Sequence, residues 1–447
     1  MTDLAIGTTC LVASLLLIQT GMHIGIALML LSFLGVWAIR GVEVAGRLLG
    51  NSVTSSIADD AYAVIPLFVL MGLFVSATNM GRDTFDVAAR ALRKIRGGLG
   101  MATVAANAIF AACTGTSIAS ASVFTKVAVP EMVRHGFTKR FSVGVVAGSS
   151  VLGMLIPPSI LMIIYGVIAN VSIGDMFKAG ILPGILLSLL FCLTIAALAR
   201  FRPSMVAADP RALSGGYQSA LDDAGSLAIL MKCLPIIVLV VVVLGGIYGG
   251  YFTPTEAGGV GALAAFLIAL TRRELTPKVF WAVALETGRV TAAICFLLMA
   301  AALYAQMLTM SGLPYTVGQW LQSSQLPFLA ILIGYLVVLV VLGFFLDSVS
   351  IMLIVLPFVI PVFNGLGVDL IWLGLISIIA IEVGLLTPPL GIAVFVVKAN
   401  LEDQTISVWD IFMGTLPMVM AMLSVLFLCI LVPWLALAPT GSAWTWW

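Results

Sequence analysis

Charge is scarce in this chain: Asp, Glu, Lys and Arg make up 9% of 447 residues against 62% hydrophobic ones. A soluble domain carries about 25% charged residues, so water is excluded as the main solvent. Histidine is scarcer still. His23 and His135 are the two present, each alone at a loop edge, without the neighbours of a metal ligand or a base. The six cysteines (Cys10, Cys113, Cys192, Cys233, Cys295 and Cys429) are scattered singly through apolar segments. With no CxxC pair and no nearby His, they argue against a metal cluster or a disulfide framework and read as small packing residues. Long polar stretches are also missing, and the longest, 200–225, is too short for a soluble catalytic domain. Walker motif, nucleophile–base pair and Gly-rich phosphate loop are all lacking. An ATP-driven pump or an ordinary enzyme therefore has no parts here, and energy must come from an ion gradient or the substrate's own gradient. The net charge of +1 gives no pull toward nucleic acid.

What is present is apolar sequence in lengths that match a bilayer. A spanning helix needs about 20 mostly apolar residues, and runs such as 230–252, 328–345 and 411–437 reach that length. The fold class expected is an all-α integral membrane protein with about ten transmembrane helices. The first run, 4–18, follows three residues with no basic group, and a second, 22–39, comes directly after it; both read as retained helices rather than a cleaved leader.

Lys and Arg cluster in four stretches read as loops, 82–96, 134–140, 200–211 and 272–278. Such clusters favour the cytoplasmic side. With all four inside, the apolar stretch 101–131 has both flanks on one side of the membrane. Its middle, Cys113-Thr114-Gly115-Thr116-Ser117-Ile118-Ala119-Ser120-Ala121-Ser122, is small and polar, and arms of about 12 to 15 residues are too short to cross. A re-entrant helical hairpin with its tip near mid-membrane is the reading. Segments 62–77, 142–171, 176–199, 232–251 and 258–270 then alternate across the bilayer, which puts the N-terminus outside. Segment 40–47, basic but placed outside, reads as an interfacial amphipathic arm.

The chain repeats its own punctuation. Gly153-Met-Leu-Ile-Pro157-Pro158 is answered by Gly384-Leu-Leu-Thr-Pro388-Pro389, 231 positions later. Pro130 and Gly136 precede the first copy as Pro361 and Gly367 precede the second, again 231 apart. Asp175-Met-Phe177 with Leu182-Pro183 follows the first copy, and Asp410-Ile-Phe412 with Leu416-Pro417 the second. A second hairpin is therefore expected at 327–363, with its tip at Gly343-Phe-Phe-Leu-Asp347-Ser348-Val-Ser350. Copy one starts by entering the cell and copy two, whose first span is read at 291–310, by leaving it. The repeats are inverted, and interrupted helices in matching places point to a secondary transporter whose site lies at the midplane between repeats. The organisation expected is N-terminal scaffold helices and arm (1–60), repeat one (61–200, hairpin 101–133), a cytoplasmic loop with central scaffold helices (201–285), repeat two (286–438, hairpin 327–363) and a tail (439–447).

A proline pair inside an apolar helix removes N–H donors and frees carbonyls upstream, which lipid penalises and a polar cavity tolerates. Freed carbonyls and hydroxyls such as Thr387, facing a tip rich in Thr and Ser, are hard oxygen ligands for a small cation, while half-helix N-termini favour an anion. Sodium and a carboxylate are the natural occupants. Ionisable groups at membrane depth are functional candidates by their cost. Asp347 at the second tip either meets ion or substrate or caps the following helix, and Glu382 reads as a structural partner of a backbone or hydroxyl group. Lys126, read as about one turn past the first tip, either meets a carboxylate or, as favoured, snorkels to the inner surface. Glu256 in Thr253-Pro-Thr-Glu256 reads as a helix cap.

Cys113-Thr-Gly-Thr-Ser-Ile-Ala-Ser120, Gly153-Met-Leu-Ile-Pro-Pro-Ser159, Thr253-Pro-Thr-Glu-Ala257, Phe345-Leu-Asp-Ser348 and Gly384-Leu-Leu-Thr-Pro-Pro-Leu-Gly391 together give a pattern that resembles, over nearly the full chain, the large membrane subunit of the tripartite ATP-independent periplasmic (TRAP) transporters. The resemblance implies an elevator mechanism, a bacterial inner-membrane location, a small four-helix membrane subunit and a periplasmic substrate-binding protein as partners. It also implies Na+ as coupling ion, held largely by backbone carbonyls at each tip and its facing break. Site one would use Ala111 or Ala112, Thr114 and Ser117 with Gly153, Ile156 and Pro158; site two would use Gly343 with Gly384, Thr387 and Leu390. Thr116, Ser120, Ser159, Asp347, Ser348 and Ser350 are the candidates for holding the substrate, an organic acid such as a C4-dicarboxylate, a sialic or other sugar acid, or a keto acid. The alternatives are a stand-alone sodium–dicarboxylate symporter and, from another class, a channel with re-entrant pore hairpins.

Overall fold

The computed structural model describes residues 2–208 and 226–441. Arg211 of the third basic cluster, the middle of the expected cytoplasmic loop and the last six residues of the expected tail lie outside the described residues. Among the described residues every regular element is helical, as a chain in lipid requires, because a helix satisfies its backbone within itself.

Helices α1 (Asp3–Gln19) and α2 (Ile24–Arg40) pack together, and after Gly41, at φ +92°, comes α3 (Val42–Ala58), a helix longer than the segment 40–47 read as an arm. It pairs Glu43 with Arg47 on its exposed face and buries Ser52 and Ser56. α4 (Val64–Ser76) leads into α5 (Met80–Leu92). Here the basic segment read as a loop from 82 to 96 is corrected: most of it is an amphipathic helix that buries Met80, Thr84, Phe85, Ala88 and Ala89 and turns Arg82 outward.

The first hairpin is α6 (Gly98–Thr114) and α7 (Ser117–Arg134). Its turn is Gly115–Thr116 alone, so Ser117 to Ser122 are already helical and Lys126, exposed, lies more than two turns down the second arm rather than about one from the tip. A broken helix follows, α8 (Lys139–Ser150), α9 (Leu152–Leu155) and, past the proline pair, α10 (Ile160–Ala169). Then come α11 (Ile173–Phe201), α12 (Pro203–Val206), α13 (Ser226–Tyr248) and α14 (Pro254–Thr271), the last opened by a Thr253–Glu256 capping box.

The second half runs through α15 (Pro277–Ser311), α16 (Leu313–Ser323), a second hairpin of α17 (Phe328–Gly343) and α18 (Ser348–Gly365), a second broken helix of α19 (Leu370–Leu385) and α20 (Ile392–Asn400), then α21 (Val408–Leu431) and α22 (Trp434–Leu437). α15 is one helix of 35 residues, so the span read from 291 starts earlier and the boundary read between 285 and 286 falls inside a continuous element. Lys278, Glu286 and Arg289 in its first half had hidden its length.

Among the described residues seven helices are long and apolar enough to cross a membrane, or eight if the bent pair 42–56 with 60–76 is one span, and one of the seven, Ser348–Gly365, is a hairpin arm. α1, α2 and α19 are apolar helices of 16 or 17 residues that fall just short of that length. The repeat persists in the fold: α7 and α18 begin at Ser117 and Ser348, and α8 and α19 at Lys139 and Leu370, each pair 231 residues apart.

Packing sorts the helices into two groups, which touch where α4 meets α6 and α10 and where α15 meets α18. α2 lies against α15, and α4 against α14 and α15. The hairpins and broken helices form the other group with α11 and α21, and the two repeats exchange partners there, α8 packing on α21 and α19 on α11. α8 and α21 meet backbone to backbone at Gly144 and Gly414, where a Cβ on Gly144 would stand 2.2 Å from the Gly414 carbonyl oxygen. α5 joins the groups: Asp83 pairs with Lys232 of α13 at 3.0 Å and with Arg272 beyond α14 at 2.6 Å, and Asp86 pairs with Lys232 at 3.0 Å.

A second tie links the repeats at the surface. Lys139 at the start of α8 reaches Asp403, in the loop after α20, at 2.5 Å and Thr405 at 3.0 Å. The Lys139 ammonium, with the Thr405 hydroxyl and N–H, holds the Asp403 carboxyl well below its ordinary range. A depressed carboxyl stabilises the fold above its unfolded-state pKa and loses that contribution as pH falls through the folded-state value. Asp403→Asn should therefore lower the unfolding temperature at pH 7, and by a smaller amount as the pH falls below the ordinary carboxylate value of about 4; thermal unfolding of both proteins in detergent at pH 7 and at about pH 2.5 checks this.

Candidate functional site

Each break is shaped by its own sequence. At the first, Pro157 and Pro158 donate no N–H, the peptide between them is cis, and Ser159 closes the gap. Its hydroxyl donates to the Met154 carbonyl at 2.6 Å and accepts from the Met162 N–H, so it serves as N-cap of α10. At the second break Pro388–Pro389 is also cis, Gly391 takes the left-handed conformation at φ +57°, and the Thr387 hydroxyl donates back to the Val383 carbonyl at 2.7 Å.

A hairpin tip is seated on each break. Gly115, at φ +64°, ends α6, and a Cβ there would lie 2.6 Å from the Pro158 carbonyl oxygen. The Ile160 N–H donates to the Gly115 carbonyl at 3.1 Å, and a Cβ on Gly153 would stand 2.4 Å from the Thr116 carbonyl oxygen. On the far side Gly72 of α4 approaches the Thr114 carbonyl, 2.7 Å from where its Cβ would be. At the second tip Gly343 and Gly384 meet, with 2.8 Å between the Cβ position of either and the Cα of the other. Glycine is required at both because any side chain would push tip and break apart.

Of the site-one candidates, Thr114, Ser117, Gly153 and Pro158 come together here. The Ala111 carbonyl accepts from the Gly115 N–H at 3.0 Å, and Ala112 and Ile156 instead line an apolar crevice of about 480 Å³ against α11 and α13. Of the site-two candidates, Gly343 and Gly384 touch, Thr387 lies one turn past Val383, and Leu390 is 45% exposed.

The substrate candidates are largely engaged in shaping the tips. Thr116 caps α7 by accepting from the Ala119 N–H, and Asp347 caps α18 by accepting from the N–H groups of Val349 and Ser350, both at 3.1 Å, and from the Ser350 hydroxyl. The Ser348 hydroxyl donates to Glu382 at 2.8 Å, the hydroxyl partner expected for that carboxyl. Ser120 is fully buried and its hydroxyl has no hydrogen-bond partner among the described residues.

Two buried polar rivets were not legible in the sequence. Asn107 of α6 donates to Ser149 of α8 at 2.7 Å, and Tyr335 of α17 shares a 2.7 Å hydrogen bond with Ser377 of α19. Each fastens the first arm of a hairpin to the helix that carries its break. The second arms cross over, α7 packing on α20, with Ser122 donating to Asn400 at 2.9 Å, and α18 packing on α10. Both tip–break pairs are thereby locked into one body.

An all-helical membrane bundle with two hairpins seated on two broken helices is the build of a secondary transporter. The chain belongs to the family described as tripartite ATP-independent periplasmic transporter, DctM component, whose model matches residues 11–435. It is therefore a multi-pass protein of the bacterial inner membrane, one component of a three-part system, and a permease rather than an enzyme. It is 36% identical over 338 residues, 75% of this chain and 76% of the relative, to the C4-dicarboxylate TRAP transporter large permease protein DctM of Pseudomonas aeruginosa. It is 29% identical to the sialic acid TRAP transporter large permease protein SiaM of Vibrio cholerae, over 93% of this chain and 94% of that one. With the ectoine TRAP transporter large permease protein TeaC of Halomonas elongata it shares 28% identity over 96% and 98% of the two chains. The crystal structure of the Alcanivorax borkumensis YdaH transporter, described as having an unusual topology, superposes with a TM-score of 0.58 over 89% of this chain and 90% of that one at 16% identity. That likeness speaks for the fold alone.

Proposed function

We propose that this chain imports an organic acid by sodium-coupled secondary transport, as the large membrane subunit working with a small four-helix membrane subunit and a periplasmic substrate-binding protein. The observation that carries the reading is the pair of glycine-built tips, each seated on a proline break where main-chain carbonyls and N–H groups gather at membrane depth. Such irregular backbone persists only where it lines a cavity or a site, and carbonyl oxygens suit a small hard cation without a buried carboxylate cage. An anionic substrate is favoured by the N-termini of α10, α18 and α20, which open toward the breaks and the second tip. The names of the relatives, two of which carry organic acids, support the substrate class. The separation of the helices into two packed groups supports an elevator movement, in which the body holding both tip–break pairs slides against α2, α4, α14 and α15.

The test is reconstitution of this chain with its small subunit in proteoliposomes, with labelled C4-dicarboxylates, sialic acid and keto acids offered outside. Uptake is expected only with an inward sodium gradient and the binding protein present, and Asp347→Ala, which uncaps α18 at the tip, is expected to reduce it about tenfold, as loss of an N-cap and its hydrogen bonds costs about 1–2 kcal/mol. Uptake indifferent to the binding protein would instead support a stand-alone symporter, and sodium-independent downhill flux a channel.

A further inference from the structure

The two tip–break pairs are built on one plan but fastened differently. At the first, a main-chain hydrogen bond, Ile160 N–H to Gly115 C=O, joins break to tip, and Pro157 through Ile160 are buried. At the second, the described residues contain no main-chain hydrogen bond between the turn 344–347 and the break 386–391. Pro388, Pro389 and Leu390 are exposed there, as is Phe345 on the tip.

Beyond the Gly343–Gly384 approach and the Tyr335–Ser377 hydrogen bond at the base of the hairpin, what holds the second turn is a side chain. The Ser348 hydroxyl donates to Glu382, which is 2% exposed, and the other Glu382 carboxyl oxygen is buried without a partner among the described residues. The repeat shows where this contact is new. Counting back 231 positions, Ser348 corresponds to Ser117 and Asp347 to Thr116, both present as hydroxyl-bearing residues, whereas Glu382 corresponds to Val151. The first copy therefore has the serine but no acceptor opposite it.

Among the described residues, charged groups on the second hairpin and broken helix and on α11 and α21 are engaged elsewhere. Asp347 is committed to capping α18, Lys398 of α20 donates to the carbonyls of Gln404 and Ile406, Asp410 of α21 caps its own helix with Ser407, and Lys178 of α11 pairs with Asp175. A Gly343–Gly384 contact remains beneath the tip, but it is a van der Waals approach. One side-chain hydrogen bond, worth far less than a packed helix interface, is the kind of contact a gate can break on each cycle.

We propose that Glu382 is a positioning residue whose hydrogen bond with Ser348 latches the turn 344–348 shut, and that the second hairpin tip, not the first, is the gate that parts from its break to admit and release cargo. The proposal rests on the transport reading above and deepens it, and its test does not depend on identifying the cargo.

The reporters are thiols. Cys113, 1% exposed, marks the first tip, and Leu346→Cys, at a position 7% exposed, marks the second. In a background with the other five native cysteines replaced by alanine or serine, labelling by a membrane-impermeant maleimide is followed in proteoliposomes opened on both faces. Glu382→Ala and, separately, Ser348→Ala should raise the labelling rate at position 346 by about tenfold, the effect of losing one hydrogen bond to a carboxyl group. Cys113 should stay protected in both. Glu382→Gln keeps an amide oxygen that can accept from Ser348 and should restore protection at position 346. Unchanged labelling at 346 in the alanine variants, failure of Glu382→Gln to restore protection, or a parallel rise at Cys113 would each overturn the assignment. Absence of sodium-driven uptake in the wild-type protein would overturn the transport reading and leave the labelling result standing.

Discussion

Gly384→Ala is expected to cut gradient-driven uptake by at least about tenfold and to destabilise the protein by about 1–3 kcal/mol, the usual cost of forcing an extra methyl group into a packed site. The added Cβ would stand 2.5 Å from the Val340 carbonyl oxygen and 2.8 Å from the Gly343 Cα. Both are main-chain atoms, so α17 must move as a whole. Displacing the tip from the break by a misfit worth about 1.4 kcal/mol already changes the population of the seated state tenfold. Gly334, two turns earlier on the facing α17, is the control, since nothing lies within 4 Å of the Cβ it would gain. Gly334→Ala should transport at the wild-type rate. Initial uptake rates in proteoliposomes, with thermal unfolding in detergent, measure both effects.

The second large effect is expected far from either tip. Gly144→Val should prevent the two repeats from closing on each other, at a cost of about 3 kcal/mol or more. The Cβ alone would stand 2.2 Å from both the carbonyl carbon and oxygen of Gly414, and the reciprocal contact from Gly414 reaches the Arg140 carbonyl oxygen at 2.2 Å. Close backbone approach of this kind is how helices gain packing contacts in lipid, where the hydrophobic effect gives no drive to associate. Size-exclusion profiles in detergent should show aggregate in place of a monodisperse peak. Gly288→Ala, with open space around it, should leave the profile unchanged.

The main architecture was legible because proline and glycine report backbone needs directly. A proline pair returning 231 positions later in the company of the same outlying residues can be read from the sequence alone, and from it follow both breaks and the second hairpin, while the basic segments on either side of 101–131 give the first. The charged segments were less legible. Met80, Thr84, Phe85, Ala88 and Ala89 follow helical spacing, yet the low mean hydropathy of 82–96 made it read as a loop. The first half of α15 was missed for the same reason. Which side chains would be committed to shaping the site was hidden too: Asp347, Ser159 and Thr116 are helix caps, and a capping residue and a ligand look alike in a sequence. The glycine contacts between tip and break, and the rivets Asn107–Ser149 and Tyr335–Ser377, join residues far apart in the chain and needed the fold itself.

The central claim, that cargo movement through this body is coupled to sodium, is tested most directly by following radioactive sodium and labelled organic acid together in proteoliposomes containing the chain, its small subunit and the binding protein. Substrate-dependent sodium entry in a fixed ratio to acid uptake, lost for both species in Gly384→Ala, is the predicted result. Acid uptake that proceeds with no accompanying sodium movement would contradict it.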